Sequence, residues 1–334
     1  MATIRDIAKE AGLSIGTVSK ILNGKRKHSR SDVIRNTAQV NAIARRLNFR
    51  PSGAARAMVQ QKSSAVGILI RNTATSRFHF LAAYEIILGI NECLQSHGYL
   101  TTLIRVGDIA AQGEQEPRIF RERLIDGLIV ISTMPPDVIA RVKTFYENAI
   151  WVESNIWHPT NCLRRDELLA GRMAAQALVD VGCDEIIWIG YPLSPHSHYS
   201  LAQRLEGARR VAQATGVKME VHELATISDL PHFVFTRLNV HRGVIAYNSL
   251  MAQAFVNAAT LAGYIVGRDY RLVSCDSEAD GQFTFPDLSR VEFDRFSLGV
   301  EAANMFLGQQ VRPPQAQRSQ LLIGQWMSGR TLGV

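Results

Sequence analysis

From residue 65 onward, short apolar runs alternate with longer stretches whose apolar residues recur at helical spacing. Such runs are typical of strands covered on both faces, and helices between them favour parallel pairing. About 270 residues of this pattern exceed one average domain, so we expect an α/β core of two doubly wound subdomains. The predicted strands are Val66–Ile70, Thr101–Arg105, Gly127–Ile131, Ile150–Glu153, Glu185–Ile189, Gly243–Tyr247, Arg271–Cys275 and Ser289–Phe293, with helices near 80–97, 136–147, 167–181, 199–215, 249–262 and 296–307.

The first fifth of the chain carries all of the excess positive charge. Residues 1–62 contain 13 Lys and Arg but 3 Asp and Glu, a net charge of +10, whereas the remaining residues have a net charge of −3. A compact basic segment on a nearly neutral body suits a protein that binds the phosphate backbone of nucleic acid. A solvated basic tail or a patch that binds a lipid surface is the alternative.

Residues 1–48 are helical in character, and they open with the pattern of a helix-turn-helix. Thr3 is a suitable N-cap for a first helix, which Gly12 ends, and Ser14 is a suitable N-cap for a second. A third helix is predicted over Asp32–Leu47. Two short helices joined by a glycine-containing turn are typical of DNA-binding units that place the second helix in the major groove.

The run TIRDIAKEAGLSIGTVSKILNG at residues 3–24 closely resembles the headpiece of the lactose/galactose-repressor family. The hinge of that family is similar to RPSGAARAM at residues 50–58, and the resemblance continues to about residue 325. It implies a small all-α helix-turn-helix headpiece plus an α/β periplasmic-binding-protein-like core of two doubly wound subdomains.

The resemblance also implies the division of the chain. Three crossovers are expected to join the two subdomains of the core, near residues 160–163, 290–294 and 322–326. The implied parts are a DNA-binding headpiece at 1–48, a hinge helix or linker at 49–63 and a ligand-binding core at 64–334, with an N-subdomain of about 64–161 and 293–323 and a C-subdomain of about 162–292 and 324–334.

The resemblance assigns DNA-binding roles to residues of the second helix. Ile15, Gly16 and Lys20 stand at positions that read base edges, and lysine can donate to guanine N7 and O6. Because Gly16 offers no side chain, readout by this helix alone is weak. The phosphate-contacting positions are Ser14, Thr17, Ser19 and Asn23, Thr3 is included in the DNA-binding set, and the basic loop at 25–30 is expected to add phosphate contacts.

The hinge is expected to contribute a wedge. Met58 stands where the family inserts a leucine between base steps in the minor groove, and methionine is apolar and flexible enough to do the same. The alternative is that Met58 packs against the core. Ala55 and Arg56 match the hinge helix, which in the family orders only when two hinges meet on DNA.

Effector is expected in the cleft between the subdomains, outside the carboxyl ends of the strands. Arg204, Asn248 and Asp276 stand where the family contacts effector, and the arginine would fork onto sugar hydroxyls or a carboxylate. The alternatives are a surface salt bridge for Arg204 and N-capping for the other two.

The remaining predicted effector residues are Arg71, Phe78 and Arg295, in regions where the match is weaker. Arg71 stands where an acidic residue is common, and Arg295 where sugar-binding members often have an aromatic residue. The loop TSRFHF at 75–80 lacks the proline usual in the family. Two extra arginines near the cleft make a phosphorylated or carboxylated ligand, or a non-sugar metabolite, the alternative to a plain sugar.

Several classes of protein are disfavoured. The N-terminus has no secretory signal, and no stretch approaches the roughly 18 apolar residues of a membrane span, so we expect a cytoplasmic, nucleoid-associated protein that does not bind membranes. His196-Ser197-His198 is interpreted as a solvated loop, and no metal or cofactor is expected. The free thiols are Cys93, Cys162, Cys183 and Cys275.

We expect a ligand-responsive, sequence-specific DNA-binding regulator, a repressor of carbohydrate-utilisation genes that binds a pseudo-palindromic operator. A chain that ends without a heptad tail favours a homodimer over a tetramer. A sugar or nucleotide enzyme with an accessory DNA-binding domain would need an acid/base or nucleophile pair, which the strand ends do not offer. A purely architectural DNA protein would not need so large a core.

Overall fold

The computed structural model of the chain describes residues 2–22, 31–71, 77–107, 117–232, 238–277, 287–311 and 317–333. For Arg56 and Phe78, the backbone alone is described. The chain divides into two compact units, Met1–Ser64 and Ala65–Val334. In describing the structure we call the first unit, which includes the hinge segment, the headpiece and the second unit the core.

The headpiece helices begin and end where local capping predicts. The Thr3 hydroxyl accepts a hydrogen bond from the Asp6 amide (3.3 Å), and the Asp6 carboxylate accepts one from the Thr3 amide (2.7 Å). Gly12 ends the first helix in a left-handed conformation (φ +65°), which glycine adopts at little cost. The predicted third helix is confirmed within one residue at each end. The helices are α1 (Ile4–Ala11), α2 (Ile15–Leu22), α3 (Ser31–Arg46) and α4 (Gly53–Gln60).

The first three helices share a small apolar core. Its buried residues include Ile7 of α1, Val18 and Ile21 of α2, and Val40 and Ile43 of α3. Helices as short as α1 and α2 are marginal in isolation, so most of their stability comes from this mutual burial. The packing fixes which face of α2 points outward.

The core contains two six-stranded sheets of doubly wound α/β topology, as predicted. Every strand pair in the first sheet, β11-β5-β4-β3-β1-β2, is parallel. The second sheet, β12-β10-β9-β8-β6-β7, is parallel except for β10 with β12. The strands are β1 (Ala65–Ile70), β2 (Leu100–Arg105), β3 (Gly127–Ile131), β4 (Ile150–Val152), β5 (Cys162–Arg165), β6 (Glu185–Gly190), β7 (Lys218–Glu223), β8 (Arg242–Ala246), β9 (Arg271–Ser274), β10 (Ser289–Glu292), β11 (Gln320–Leu322) and β12 (Gln325–Met327).

Helices cover both sheets, and the apolar faces of strands and helices form the cores. In the first sheet, Val66 and Ile129 pack with Leu298 and Phe306 of the last long helix. The second sheet has separate apolar clusters on its two faces. The helices are α5 (Arg77–Ser96), α6 (Arg118–Arg121), α7 (Pro136–Phe145), α8 (Glu167–Asp180), α9 (Tyr199–Thr215), α10 (Ser249–Leu261) and α11 (Arg295–Gln309), with short 3-10 helices at Ile227–His232 and Arg330–Leu332.

Four strands were not predicted, namely β5, β7, β11 and β12. They lack the continuous apolar run on which the prediction relied: β7 lies at a sheet edge with the sequence KMEVHE, and β11 and β12 have three residues each. Strand β5 is buried although it ends with Arg164 and Arg165. Arginines in a buried strand require partners, and these partners lie in the cleft described below.

The first predicted crossover is wrong by a few residues. Strand β5 pairs with β4 and β11 in the first sheet, so the N-subdomain continues to residue 165 and does not end at 161. The next element, α8, packs against the second sheet. The chain therefore crosses at residues 165–167. It crosses again between β10 and α11, and a third time between β11 and β12.

Candidate functional site

The outward face of α2 carries the predicted base-reading residues. Ile15 is 46% exposed, Lys20 is exposed, and the space around Gly16 is open. Val18 and Ile21 anchor the opposite face in the headpiece core. The helix can therefore enter a groove without disturbing the packing that holds it.

The predicted phosphate-contacting hydroxyls lie at the starts of α1 and α2. The Ser14 hydroxyl accepts from the Thr17 amide (3.2 Å) and lies 2.9 Å from the Thr17 hydroxyl. Thr3 donates its hydroxyl proton to Asp6 (2.8 Å), and Ser19 is partly buried. Amides at a helix start together with these hydroxyls provide donors for an anion. Asn23 and the basic loop at 25–30 lie outside the described residues.

The hinge segment contains α4, which presents an apolar side chain to solvent. The Ser52 hydroxyl caps the helix by accepting from the Ala55 amide (3.2 Å), and Ala55 is itself exposed. Met58 is 83% exposed. So exposed a methionine is available to a partner. Arg56 lies in the same helix.

In the core, a close approach of two helices builds the centre of the cleft. Gly171 of α8 and Gly207 of α9 lie where the helices cross, and a methyl group at Gly171 would overlap the carbonyl oxygen of Arg204. This approach brings Glu167, in the first turn of α8, to Arg204 of α9. Two hydrogen bonds join them, from Nε (2.6 Å) and Nη2 (2.9 Å).

All three guanidinium nitrogens of Arg204 donate hydrogen bonds to other residues of the chain. Its Nη2 also donates to Asp276 (2.8 Å), its Nη1 donates to the carbonyl oxygen of Tyr247 (2.7 Å), and its exposure is 1%. The alternative of a surface salt bridge for Arg204 is wrong because the arginine is buried. Asp276, which was also predicted to contact effector, is buried as well, two residues beyond β9.

Two further arginines reach Asp276 from the other subdomain. Arg165, at the end of β5, donates to Asp276 (2.6 Å) and to Glu153 (2.5 Å), and its Nη2 lies 3.0 Å from Glu167. Arg295, at the start of α11, donates to Asp276 (2.6 Å) and to the carbonyl oxygen of Ser277 (2.5 Å). Sequence reasoning missed Glu153, Arg165 and Glu167. The only signal was a charged residue at a buried strand end or helix start.

Two of the buried carboxyls, Asp276 and Glu153, are held ionised. Burial by itself would raise the pKa of Asp276, but Arg165, Arg295 and Arg204 together hold it well below its usual range. Burial likewise opposes ionisation of Glu153, yet Arg165 and other neighbours lower its pKa. Three guanidinium groups thus balance three carboxylates in this part of the cleft.

His198 and Tyr199, at the start of α9, extend the network. The Tyr199 hydroxyl donates to Glu153 (2.8 Å), and His198 Nε2 lies 2.8 Å from the Glu153 carbonyl oxygen. The Nδ1 atom of His198 caps α9 at the Ser200 amide, so the imidazole is neutral with its proton on Nε2. Burial lowers the pKa of His198 to about 4. The expectation of a solvated loop is wrong for His198, although His196 is exposed.

The other predicted effector residues lie outside this ion-paired group. Asn248 is buried and caps α10 by accepting from the Met251 amide (2.9 Å). Arg71 is exposed after β1, and its Nη1 donates to the Thr133 hydroxyl (3.2 Å). Phe78 lies in α5. Within the described ranges, no three His, Cys, Asp or Glu side chains are grouped so as to hold a metal ion, and no described helix is long and apolar enough to cross a membrane.

Comparison with protein families matches nearly the whole chain in three overlapping or adjoining parts. Residues 3–52 match the bacterial regulatory proteins of the lacI family. Residues 63–241 match the periplasmic binding proteins and sugar binding domain of the LacI family, and residues 175–332 match a periplasmic binding protein-like domain.

Individual relatives are similar over nearly their full length. The chain is 24% identical to a ribose operon repressor of Bacillus subtilis, covering 95% of this chain and 94% of the relative. It is 26% identical to an HTH-type transcriptional repressor PurR of Mannheimia succiniciproducens, with 91% of each covered. The structure of a Lac repressor dimer bound to operator and the anti-inducer ONPF has the same fold, with a TM-score of 0.77 at 19% identity over 99% of each chain.

Proposed function

Because the chain belongs to the LacI family of bacterial regulatory proteins, we propose that it is a ligand-responsive transcriptional repressor that binds a pseudo-palindromic operator as a homodimer. The observation that carries the proposal is the outward face of α2, which holds Ile15, Gly16 and Lys20 ready for a DNA groove. Relatives named as ribose operon repressors and as PurR, and a related fold solved as a dimer on operator DNA, support it.

Specific binding combines a helix in the major groove with a wedge in the minor groove. Lys20 reads a base edge, Ile15 contacts an apolar edge such as a thymine methyl, and Gly16 lets the backbone approach closely. Met58 of each protomer inserts between base steps and kinks the duplex. The two-fold axis of the dimer accounts for the symmetry of the operator.

In this proposal, residues 1–48 bind DNA, 49–63 form the hinge and 64–334 sense a ligand. The cleft between the two sheets takes the effector, near Arg71, Phe78 and Asn248. Three carboxylates balance the three buried arginines, so this buried group offers no net positive charge to a phosphate, and Arg71 is the exposed cation among the residues named here. An uncharged carbohydrate is therefore favoured over a phosphorylated sugar, and the relatives named for ribose point to the same class.

An enzyme of sugar or nucleotide chemistry is the less favoured alternative. Glu153 and Asp276 accept hydrogen bonds from arginine, which lowers the pKa of both, and a carboxylate held ionised in this way is a poor proton donor. We therefore propose that the protein is a cytoplasmic repressor without enzymatic activity.

Capture of genomic fragments by the full-length protein tests the proposal. Sequencing of the captured DNA is expected to yield one pseudo-palindromic motif, whose affinity is then measured with ribose, with ribose 5-phosphate and without ligand. Recovery of fragments without a common motif would contradict the proposal, and turnover of either sugar would favour the enzyme. A change in affinity with the phosphorylated sugar alone would contradict the charge argument.

Two substitutions locate the specificity. Lys20→Ala is expected to weaken operator binding by about 1–3 kcal/mol because a base contact is lost. Met58→Ala is expected to weaken it by about tenfold because the wedge is lost. Lys143→Ala, on an exposed position of α7, is the control and is expected to bind like the wild type. Equal affinities of all four proteins would show that another surface binds the operator.

A further inference from the structure

Six buried charged side chains meet where the two subdomains of the core face each other. The first subdomain contributes residues at the ends of β4 and β5 and at the start of α11, and the second contributes residues of α8, α9 and the loop after β9. We call them the cross-cleft cluster, which consists of Glu153, Arg165, Arg295, Glu167, Arg204 and Asp276.

The bonds between the subdomains converge on Asp276. One of its carboxylate oxygens accepts from Arg295 (2.6 Å), and the other accepts from Arg165 (2.6 Å) as well as from Arg204 of its own subdomain (2.8 Å). Arg165 also lies 3.0 Å from Glu167 across the divide. No carboxylate oxygen of the cluster is left without a donor.

Separation of the subdomains would split this balanced set. The first subdomain would keep two arginines with one carboxylate, and the second would keep one arginine with two carboxylates. Each side would then carry one net charge, opposite in sign to the other, and the short bonds that attract the two sides would be replaced by bonds to water. The cluster therefore opposes opening even when nothing occupies the cleft.

A second set of bonds crosses the divide beside the cluster. The Tyr199 amide, at the first position of α9, donates to the Asn155 side chain (2.9 Å), and the Asn155 amide group donates to the Ser197 carbonyl oxygen (2.9 Å). An amide at the start of a helix has no acceptor within that helix. Protection of the Tyr199 amide thus depends on the first subdomain lying in place.

We propose that the cross-cleft cluster is a built-in latch, which closes the cleft of the free protein without an effector. Asp276 accepts hydrogen bonds from Arg204, Arg165 and Arg295. These bonds stabilise the closed state without a bound ligand. The inference rests on the proposed function only in treating the space between the subdomains as a ligand cleft.

Hydrogen exchange of the full-length protein, without DNA and shown ligand-free by native mass spectrometry, tests the latch. The Tyr199 amide is expected to be protected in the wild type. Asp276→Asn, which keeps the shape but removes the charge, is expected to speed its exchange at least tenfold while β1 and β6 keep their protection. Glu206→Gln is the control, since the Arg210–Glu206 pair on α9 is exposed.

Two more variants keep the test decisive. Arg295→Gln attacks the latch from the other subdomain and serves if the Asp276 variant does not fold. The double variant removes one charge of each sign and is expected to recover part of the protection lost by either single variant. Rapid Tyr199 exchange in the ligand-free wild type, unchanged exchange in the single variants, or an equal loss of protection in β1 and β6 would overturn the proposal. Because no DNA is present, failure of operator binding would refute the proposed function and leave this result unaffected.

Discussion

The headpiece and the core place their functional side chains in opposite environments. In the headpiece, Lys20 and Met58 are exposed, and the cluster of buried residues formed by α1, α2 and α3 is apolar. In the core, Arg204 and Asp276 are almost entirely buried and satisfied by other residues of the chain. A surface that meets a large charged polymer keeps its donors hydrated until contact, whereas charges inside a cleft must be paired when the protein folds.

This contrast separates binding from stability. Exposed side chains of the headpiece contribute little to the folded state, so their replacement is expected to change DNA binding alone. Buried charges of the core contribute to the folded state through their partners, and removal of one leaves the others uncompensated. The following substitutions and conditions test this separation, beginning with the largest expected effect.

Removal of a buried arginine is expected to be the most damaging change. Arg204→Ala leaves Glu167 and Asp276 without a donor that each uses, and is expected to lower the free energy of unfolding of the core by about 3–5 kcal/mol, measured by urea denaturation. Arg210→Ala, on the exposed face of the same helix, is the control and is expected to stay within about 0.5 kcal/mol of the wild type. Similar losses in both variants would remove the distinction between buried and exposed charge.

Acid is expected to destabilise the core before the headpiece. His198 is neutral in the folded core because burial lowers its pKa to about 4, whereas an unfolded histidine has a pKa near 6.5. Between these values the unfolded chain binds a proton that the folded chain does not. The contribution of His198 to the stability of the core is therefore complete above pH 6.5 and is lost progressively toward pH 4, by about 3 kcal/mol at most.

His198→Asn tests this assignment. Asparagine can still cap α9 but does not titrate, so the variant is expected to lose less stability than the wild type between pH 6.5 and 4.5. Thermal unfolding at several pH values measures both proteins. An identical pH dependence would show that another group governs the acid response.

Two glycine-to-alanine substitutions sharpen the comparison at the level of packing. Gly171→Ala would force α8 away from α9 and is expected to cost the core about 1–3 kcal/mol. Gly16→Ala meets open space within a helix, and is expected to leave the stability of the headpiece unchanged or raise it by about 0.5–1 kcal/mol. Calorimetry of both variants tests the difference. A destabilised headpiece in Gly16→Ala would show that α2 is packed more tightly than the structure indicates.

Much of the headpiece follows from the sequence because its decisive interactions are local. Thr3 caps a helix through Asp6 three residues later, Ser14 does the same through Thr17, and Gly12 provides the turn between them. A spacing of three residues between cap and partner can be read directly from the amino-acid sequence. The buried apolar strands of the core were equally visible, since each is a continuous run.

The centre of the cleft depended on the tertiary structure. Arg165 and Asp276 lie 111 residues apart in sequence. They meet because the end of β5 in the first sheet lies next to the loop that follows β9 in the second sheet. Glu167 reaches Arg204 because two glycines let α8 and α9 approach closely. The sequence by itself determined the helix caps, the apolar strands and the exposed face of α2. Tertiary structure alone decided which charges neutralise each other, because an ion pair depends on distance in space and carries no signature in local spacing.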